Sequence, residues 1–281
     1  MSAQIANPPV GMPSAARLQD LLDGVALDAA KPLASQIYEL LRSFIISMKL
    51  TPGCALSEKE IGALLNASKT PVREAIIRLE GTGLVNIVPQ SGTYVAPLNV
   101  EGYISACFTR LHLEIGAVRA AAKSKGRHAF VSVFEDLLAQ QQSAWDKDDF
   151  EAFFHLDEAL HKEFFRAAEV PDVWETMRRT QTDVYRVRHL RRIRNIRNGA
   201  KVIADHKAII GAILDGDADG AQAALIGHIG SLEEKIKSLA DQPELMRTIE
   251  ILNTTRPRSR RKKTNLSGSE QVTEETCQAS Y

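Results

Sequence analysis

The stretch that most constrains this chain runs from Ser68 to Gly83 and reads SKTPVREAIIRLEGTG. Its Thr-Pro pair predicts a helix start, because the fixed φ of proline suits the first helical position, where its missing N–H costs nothing. Four apolar residues then recur at helical spacing and predict one buried face: Val72, Ala75, Ile76 and Leu79. The cations and hydroxyl left at the leading tip suit a DNA major groove, although a solvated basic face would be preferred for an isolated helix.

The flanking segments decide between these two interpretations. Upstream, apolar periodicity from Leu33 predicts a helix that ends before a Thr-Pro-Gly turn, and Ser57 and Glu60 have the spacing of a capping box at the next helix start. Downstream, the β-branched runs 84–88 and 93–95 flank the turn residues PQSG and predict a β-hairpin. Three helices followed by a hairpin wing predict a winged helix-turn-helix domain over residues 32–97.

This segment resembles the GntR superfamily of bacterial transcription regulators. The matching run, ALSEKEIGALLNASKTPVREAIIRLEGTGLVNIVPQSGTYVAP, follows the family order of a Leu-Ser-Glu helix, a recognition helix, Gly-Leu-Val and a glycine-turned wing. The resemblance implies that DNA is contacted by the recognition region and the wing tip: Lys59, Lys69, Thr70, Pro71, Arg73 and Gly92. The family usually has arginine where this chain has Lys69. Because lysine is a point charge and not a bidentate fork, we expect weaker guanine readout there.

Composition limits the functions open to the chain. Its 281 residues are 44% hydrophobic and 25% charged, which is typical of globular proteins. The formal net charge is zero, so any DNA contact must come from local basic clusters. No apolar run approaches the roughly 20 residues of a membrane helix, and the N-terminus lacks signal-peptide character. We therefore predict a cytoplasmic protein without a membrane partner.

The remainder of the chain is predicted to be almost entirely helical. Residues 1–31, rich in proline and small residues, predict a flexible arm, and residues 243–281, with a strongly basic run, predict a disordered tail. Residues 101–242 predict an all-α bundle of six or seven helices with short connections. Within it, Trp174 to about Asn198 and Ala218 to Ala240 are each expected to form one helix. The predicted fold class is therefore mainly α.

Four polar residues interrupt the apolar faces of this predicted bundle. Asp157 and His161 lie four residues apart on one helix face, and His206 and His228 lie on the apolar stripes of two later helices. A single buried histidine is most often satisfied by a neighbouring group. Burying all four would be costly unless they converge, and one carboxylate with three imidazoles suits a transition metal better than magnesium or calcium.

Residues 101 to about 240 also resemble the FCD ligand-binding domain of the FadR subfamily. In this resemblance the same Asp and three His occupy all four metal-ligand positions. The resemblance implies a divalent transition metal, with zinc preferred over nickel or manganese. His155 is excluded from the set, because it lies about 240° around the helix from His161.

Three further residues are predicted to bind a small organic acid beside the metal. Tyr185 and Arg188 lie on the inward stripe of the basic fourth bundle helix, and Arg110 matches an arginine of the family pattern. A guanidinium beside a metal with open positions suits a carboxylate. The competing interpretation of Arg188 is a solvated side chain, because this helix is basic on several sides.

These features predict a homodimeric transcription regulator that binds a palindromic operator and responds to an acid effector. The family resemblance implies repression, relieved by the effector, as the more frequent mode of control. One alternative is a metal-dependent enzyme with an accessory DNA-binding head, since a metal with open positions activates water. No general base or nucleophile accompanies the cluster at a recognisable spacing, so we predict that the protein is not an enzyme. The second alternative is a non-specific architectural DNA binder, which only the basic tail favours.

Overall fold

The computed structural model describes residues 16–193 and 199–254. Residues 1–15 of the predicted arm and residues 255–281 of the predicted tail lie outside these ranges. The described residues form thirteen α-helices, one short 3-10 helix and one three-stranded sheet, so the predicted mainly α class is confirmed. No α-helix in these ranges is long and apolar enough to cross a membrane.

The N-terminal part has the predicted winged helix-turn-helix order. Its helices are α1 (Leu18–Leu22), α2 (Leu33–Ile46), α3 (Glu58–Leu64) and α4 (Lys69–Gly81). Its antiparallel strands, in the order β1-β3-β2, are β1 (Ala55–Leu56), β2 (Val85–Val88) and β3 (Gly92–Val95). The predicted hairpin is thus β2 and β3, and β1 adds a third strand that pairs Ala55 with Tyr94.

The sequence patterns in and around α4 correspond to contacts in the structure. The Ser57 side chain accepts a hydrogen bond from the Glu60 N–H at the start of α3, which is one of the two bonds of the predicted capping box. All four apolar residues of α4 are fully buried in the core that α4 shares with α2 and α3: Val72, Ala75, Ile76 and Leu79. Burial of this face leaves the opposite face and the leading tip of α4 accessible.

The prediction of a flexible arm over residues 1–31 is wrong for the segment that forms α1. Leu18 and Leu22 of α1 are buried in the core of the winged helix-turn-helix domain. A helix of five residues is not stable on its own in water, so burial of its leucines against the domain holds it in place. That stabilisation comes from residues distant in sequence, which local composition does not reveal.

The C-terminal part contains nine α-helices among its described residues, more than the six or seven predicted. They are α5 (Val100–Lys123), α6 (Val131–Asp146), α7 (Phe150–Ala167), α8 (Pro171–Thr180), α9 (Thr182–Ile193), α10 (Gly199–Asp215), α11 (Ala218–Ile229), α12 (Leu232–Ala240) and α13 (Pro243–Thr254). The 3-10 helix Arg127–Phe130 joins α5 to α6. The main core of this bundle lies between α5, α6, α7, α10 and α11.

Two helices predicted as continuous are each divided in two. Gln181 separates α8 from α9, and its buried side chain donates from Nε2 to the Ala106 carbonyl of α5 at 3.0 Å. Gly230 separates α11 from α12 with a φ of +84°, a conformation that favours glycine. Ser231 and Glu234 then form a capping box that starts α12.

The predicted tail begins too early, because residues 243–254 form the packed helix α13. Its apolar face buries Leu245, Ile249 and Leu252 against the start of α5 and against α9. The Asn253 side chain accepts from the Leu98 N–H and donates to the Leu98 carbonyl, both at 2.8 Å. Helix α13 therefore fastens the segment that joins the two domains.

Candidate metal and effector site

The four residues predicted to bind a metal converge in the bundle. Asp157 and His161 come from α7, His206 from α10 and His228 from α11, and one ligand atom of each lies within 4.8 Å of the others. The first three are fully buried, and the His228 side chain is 7% exposed. The Nε2 atoms of His161 and His228 are 3.2 Å apart. Three separate helices thus bring one oxygen and three nitrogens to one point.

The second ring nitrogen of each histidine faces an oxygen outside the cluster. These Nδ1 contacts are His161 to Glu114 at 2.5 Å, His206 to Gln141 at 2.8 Å and His228 to Asp205 at 3.4 Å. Such contacts orient imidazole ligands and place the Nε2 lone pairs toward a metal. The Arg110 guanidinium also lies 3.1 Å from His161 Nε2, which therefore accepts and does not donate.

Glu114 and Gln141 were not predicted from the sequence as parts of the site, although both are fully buried. Glu114 follows Arg110 by one helical turn, and its carboxylate accepts from Arg110 Nε at 2.7 Å. A sequence signal was present for both, since each is a polar residue on an otherwise apolar helix face. Neither could be paired with its histidine without the tertiary arrangement.

The residues present fit a bound cation. Asp157 Oδ1 and His206 Nε2 are buried, lie 3.6 Å apart and have no hydrogen-bond partner. Buried polar atoms are rarely left unpaired, because each one costs about 1–3 kcal/mol. A cation between them would satisfy both atoms. The three nitrogens and one oxygen form a donor set that suits a transition metal.

The protonation states of the cluster agree with this donor set. Burial raises the pKa of the Asp157 carboxyl, but the Arg188 guanidinium at 2.7 Å and the neighbouring imidazoles hold it well below its ordinary value of 3.8. Burial lowers the pKa of His206 to about 3, and Asp157 offsets this only in part. Burial likewise lowers the pKa of His228. An ionised carboxylate and neutral imidazoles are the forms that bind metals.

A cavity of about 310 Å³ opens beside His228 and contains two of the three residues predicted to bind an effector, Arg110 and Arg188. Tyr185, the third, is not among the residues that line it, and this placement corrects the prediction. The prediction assumed one continuous helical stripe from Trp174 onward. Val184 and Arg188 of α9 line this cavity, whereas Tyr185 lies about 100° around the helix from Val184 and therefore meets a different neighbour.

Tyr185 instead lines a second cavity, of about 170 Å³, between helix α2 of the winged helix-turn-helix domain and helices α7 and α9 of the bundle. The Arg42 guanidinium lies 5.7 Å from the centre of the Tyr185 ring and 4.0 Å from the Glu158 carboxylate. Burial, reinforced by Glu158, raises the pKa of the Tyr185 hydroxyl. Arg188 lines both cavities, so one side chain lies between the metal cluster and the domain boundary.

Most of the residues predicted to contact DNA are exposed on one domain: Lys59, Lys69, Thr70, Arg73 and Gly92. Pro71 is half-buried in the first turn of α4. Gly92 has a φ of +139°, and a Cβ there would lie 3.3 Å from the Tyr94 hydroxyl, so the wing turn favours glycine. Lys69 lies 3.7 Å from Glu58, an exposed contact that contributes little stability. These side chains are therefore free to meet a ligand.

The other histidines lie outside the cluster. His155 is largely exposed beside Glu158, in agreement with its exclusion, and His112 and His128 are exposed. His189 was predicted to be an ordinary polar residue, but it is buried, with its ring 4.7 Å from that of Phe154. Burial, assisted by Arg188 and Arg192, lowers its pKa to about 3.

Comparison with known proteins assigns a family to each part of the chain. Residues 33–95 match the family described as "Bacterial regulatory proteins, gntR family", and residues 106–231 match the family described as "FCD domain". The FCD match contains all four residues of the metal cluster and ends one residue before α12.

Several known proteins align with most of the length of this chain. The "HTH-type transcriptional repressor RspR" of Escherichia coli (strain K12) is 30% identical over 216 residues, which cover 77% of this chain and 94% of that protein. An "Uncharacterized HTH-type transcriptional regulator in unstable DNA locus" of Streptomyces ambofaciens is 34% identical over 214 residues, 75% of this chain and 89% of its own length. The solved structure "E. coli McbR/YncC" has a TM-score of 0.62 at 22% identity, over 75% of this chain and 98% of that chain, which shows a shared fold.

Proposed function

This chain belongs to the GntR family of bacterial transcription regulators, and we propose that it is a metal-containing repressor controlled by a small carboxylate. DNA binding and a response to a small molecule follow from its two matched domains. One observation carries the finer proposal: two buried, unpartnered ligand atoms of an Asp-His cluster lie beside a cavity rich in arginine. A repressor named among its relatives supports the direction of control.

The metal in this proposal is divalent and is held by Asp157, His161, His206 and His228. Our preferred metal is zinc. Nickel and manganese are competitors, because a donor set of three nitrogens and one oxygen suits them as well. When bound, the metal supplies a Lewis-acidic positive charge. The protein holds the imidazoles in the orientation that accepts it, through the oxygens of Glu114, Gln141 and Asp205.

The carboxylate would bind at the wall of the cavity that Arg110 and Arg188 form. Each of these guanidinium groups already pairs with one buried carboxylate, Glu114 and Asp157 respectively, so each is held in place before a ligand arrives. Guanidinium groups bind carboxylates through directed, charge-assisted hydrogen bonds. Arg188 also faces the domain boundary, which gives a bound acid a route to affect the DNA-binding domain.

For DNA binding we propose a cytoplasmic homodimer that places two copies of α4 in successive major grooves of a palindromic operator. The contacts would come from the exposed residues Lys59, Lys69, Thr70 and Arg73, with the half-buried Pro71 at the helix start and Gly92 at the wing tip near the minor groove. A change in the spacing of the two domains on effector binding would weaken the complex.

In vitro selection from random DNA, using the full-length metal-loaded protein, would identify the operator and test this proposal. We expect a palindromic sequence, and an operator affinity that one or more organic acids lower by about 5- to 150-fold. Arg73→Ala is expected to weaken operator binding by about 10- to 100-fold, and Lys125→Ala, an exposed charge on the effector domain, serves as its control.

Two results would contradict the proposal. If no acid changes operator affinity in the metal-loaded protein, the carboxylate effector is wrong. If chelation leaves the response to the acid intact, the metal has no part in effector binding. The alternatives have their own outcomes: an architectural protein would select no common sequence, and a metal-dependent enzyme would convert the acid during the incubation.

A further inference from the structure

The cavity beside His228 contains more positive charge than one carboxylate can neutralise. Arg110 and Arg188 are each paired with a buried carboxylate at 2.7 Å. Three more cations line the same cavity and have no carboxylate within ion-pair distance in the described part of the chain: Arg191, Arg192 and Lys235. Like charges in a shared cavity repel one another. Binding of a second anionic group would therefore be favoured in the part of the cavity away from His228, Arg110 and Arg188.

Helix α12 supplies part of this second cationic group. It begins immediately after the FCD match and places Lys235 and Ser238 on the cavity wall. Arg191 donates from Nη2 to Ser238 Oγ at 3.0 Å, whereas its Nε is buried without a partner. Burial lowers the pKa of Lys235 to about 8, because its ammonium group has lost water without gaining a carboxylate. These groups have unused capacity to bind an anion.

Part of the cavity lining is aromatic. It is formed by Trp145, Phe150, Phe153 and Phe154. The Arg192 guanidinium lies 4.8 Å from the centre of the Phe150 ring, and Arg188 lies at the same distance from Phe154. Cations beside an apolar surface favour a ligand with a hydrocarbon segment and polar ends. The volume of about 310 Å³ limits that ligand to a small molecule.

We propose that the effector is a small dicarboxylate, with one end at the metal beside Arg110 and Arg188 and the other end bound by Arg191 and Lys235. Its hydrocarbon segment contacts the aromatic wall. This inference rests on the proposed function and deepens it, since it assigns the binding of the second acid group to Arg191 of α9 together with Lys235 of α12, the second of which lies outside the FCD match.

Calorimetry on the full-length, zinc-loaded protein tests the inference with two matched series of ligands. The dicarboxylates run from succinate to suberate, and the monocarboxylates of equal length run from butyrate to octanoate. We expect the best dicarboxylate to bind about tenfold more tightly than its monocarboxylate counterpart, the gain from one charge-assisted contact. In Lys235→Met the ratio of the two affinities should fall to near one.

Lys237→Met provides the matched control, because Lys237 lies on the same helix but is exposed and does not line the cavity. It should keep the wild-type ratio. Metal content and thermal unfolding are compared for both variants. Should Lys235→Met fail to fold, Lys235→Glu and Lys235→Arg test the same contact: the first should favour aminocaproate over adipate, and the second should keep the preference for adipate.

The outcomes separate this inference from the function on which it rests. If neither series binds the zinc-loaded protein, the carboxylate effector itself is wrong. If monocarboxylates and dicarboxylates bind equally, the second acid site is wrong and the carboxylate effector stands. The second site is also overturned if Lys235→Met keeps the wild-type ratio, or if Lys235→Glu still prefers adipate to aminocaproate.

Discussion

At the scale of single residues, the metal cluster depends on side chains that do not themselves face the metal. Glu114 holds His161 by its Nδ1 atom and pairs with Arg110 on the opposite side. Burial raises the pKa of the Glu114 carboxyl, but Arg110 and His161 outweigh burial and the net pKa is lowered. The charge on Glu114 thus stabilises both a proposed ligand and a proposed effector contact.

Replacing Glu114 by glutamine should weaken metal binding by about 10- to 100-fold, the usual effect of losing a hydrogen-bonded partner of a ligand. Glutamine keeps the shape and one acceptor but removes the negative charge. Competition with a fluorescent chelator measures the affinity. Glu135→Gln, the same change at an exposed position of α6, is the control. Equal metal affinity in Glu114→Gln and the wild type would show that this charge does not support the site.

His189 predicts a pH dependence of stability. Its pKa is lowered from 6.5 to about 3, so the unfolded chain binds a proton more readily than the folded protein does. The stability that depends on neutral His189 is therefore fully present above pH 6.5 and is lost as the pH falls toward 3. At pH 5 the loss from this one group is about 2 kcal/mol.

In His189→Phe, the decrease in the free energy of unfolding between pH 7.5 and pH 5 should be about 2 kcal/mol smaller than in the wild type. Urea denaturation of the metal-free proteins at both pH values measures it. His155→Phe replaces an exposed histidine of the same region and should keep the wild-type decrease. If the free energy of unfolding of His189→Phe decreases as much as that of the wild type, His189 is not buried in its neutral form.

At the scale of secondary-structure elements, α13 and α9 together fix the segment between the domains. The buried Arg186 of α9 donates to the carbonyls of Ala96 and Pro97, at 2.7 Å and 3.2 Å. Asn253 of α13 forms two hydrogen bonds with the backbone of Leu98. Three consecutive residues of the connection are therefore held by side chains of the effector domain.

Asn253→Ala should lower the free energy of unfolding by about 1–3 kcal/mol, because the backbone groups of Leu98 lose their partners where water has limited access. Thermal and urea unfolding measure the change. Glu250→Ala, at an exposed position of the same helix, tests whether any substitution in α13 has this effect. Similar stability of the two variants would show that the hydrogen bonds from α13 do not stabilise the interdomain segment.

At the scale of the whole molecule, α2 of the DNA-binding domain packs on the bundle beside the site. Arg42 of α2 lies between Tyr185 and Glu158, and Glu158 directly follows the proposed ligand Asp157 in α7. Arg42 Nη2 and Glu158 Oε1 are buried without hydrogen-bond partners. A boundary with such incomplete pairing can change its arrangement at lower cost than a fully bonded one.

We expect Arg42→Met to bind the effector as the wild type does but to reduce the effect of the effector on operator affinity to below about fivefold. Operator binding with and without effector gives this ratio, and calorimetry gives the effector affinity. Lys49→Met removes an exposed ion pair with Glu151 across the same boundary and should retain the wild-type ratio. A wild-type ratio in Arg42→Met would place the coupling elsewhere.

The sequence predicted the features that repeat locally. The apolar face of α4, the cap at Ser57 and the helical faces that carry Asp157 and His161 all depend on residues within a few turns of each other, so their spacing was sufficient. For the same reason the four polar residues of the cluster could be chosen before their positions in space were known. The structure brings those four together.

Only the tertiary structure decided how distant segments meet. Gln181 leaves the helical pattern to bond the backbone of α5, and Tyr185 lines the cavity against α2 and not the one beside His228. Helices α1 and α13 form because they bury leucines against other segments, and Glu114 becomes part of the site because α5 packs against α7. Each depends on contacts between residues far apart in the chain, whose free energy exceeds the weak local preferences that a sequence pattern reports.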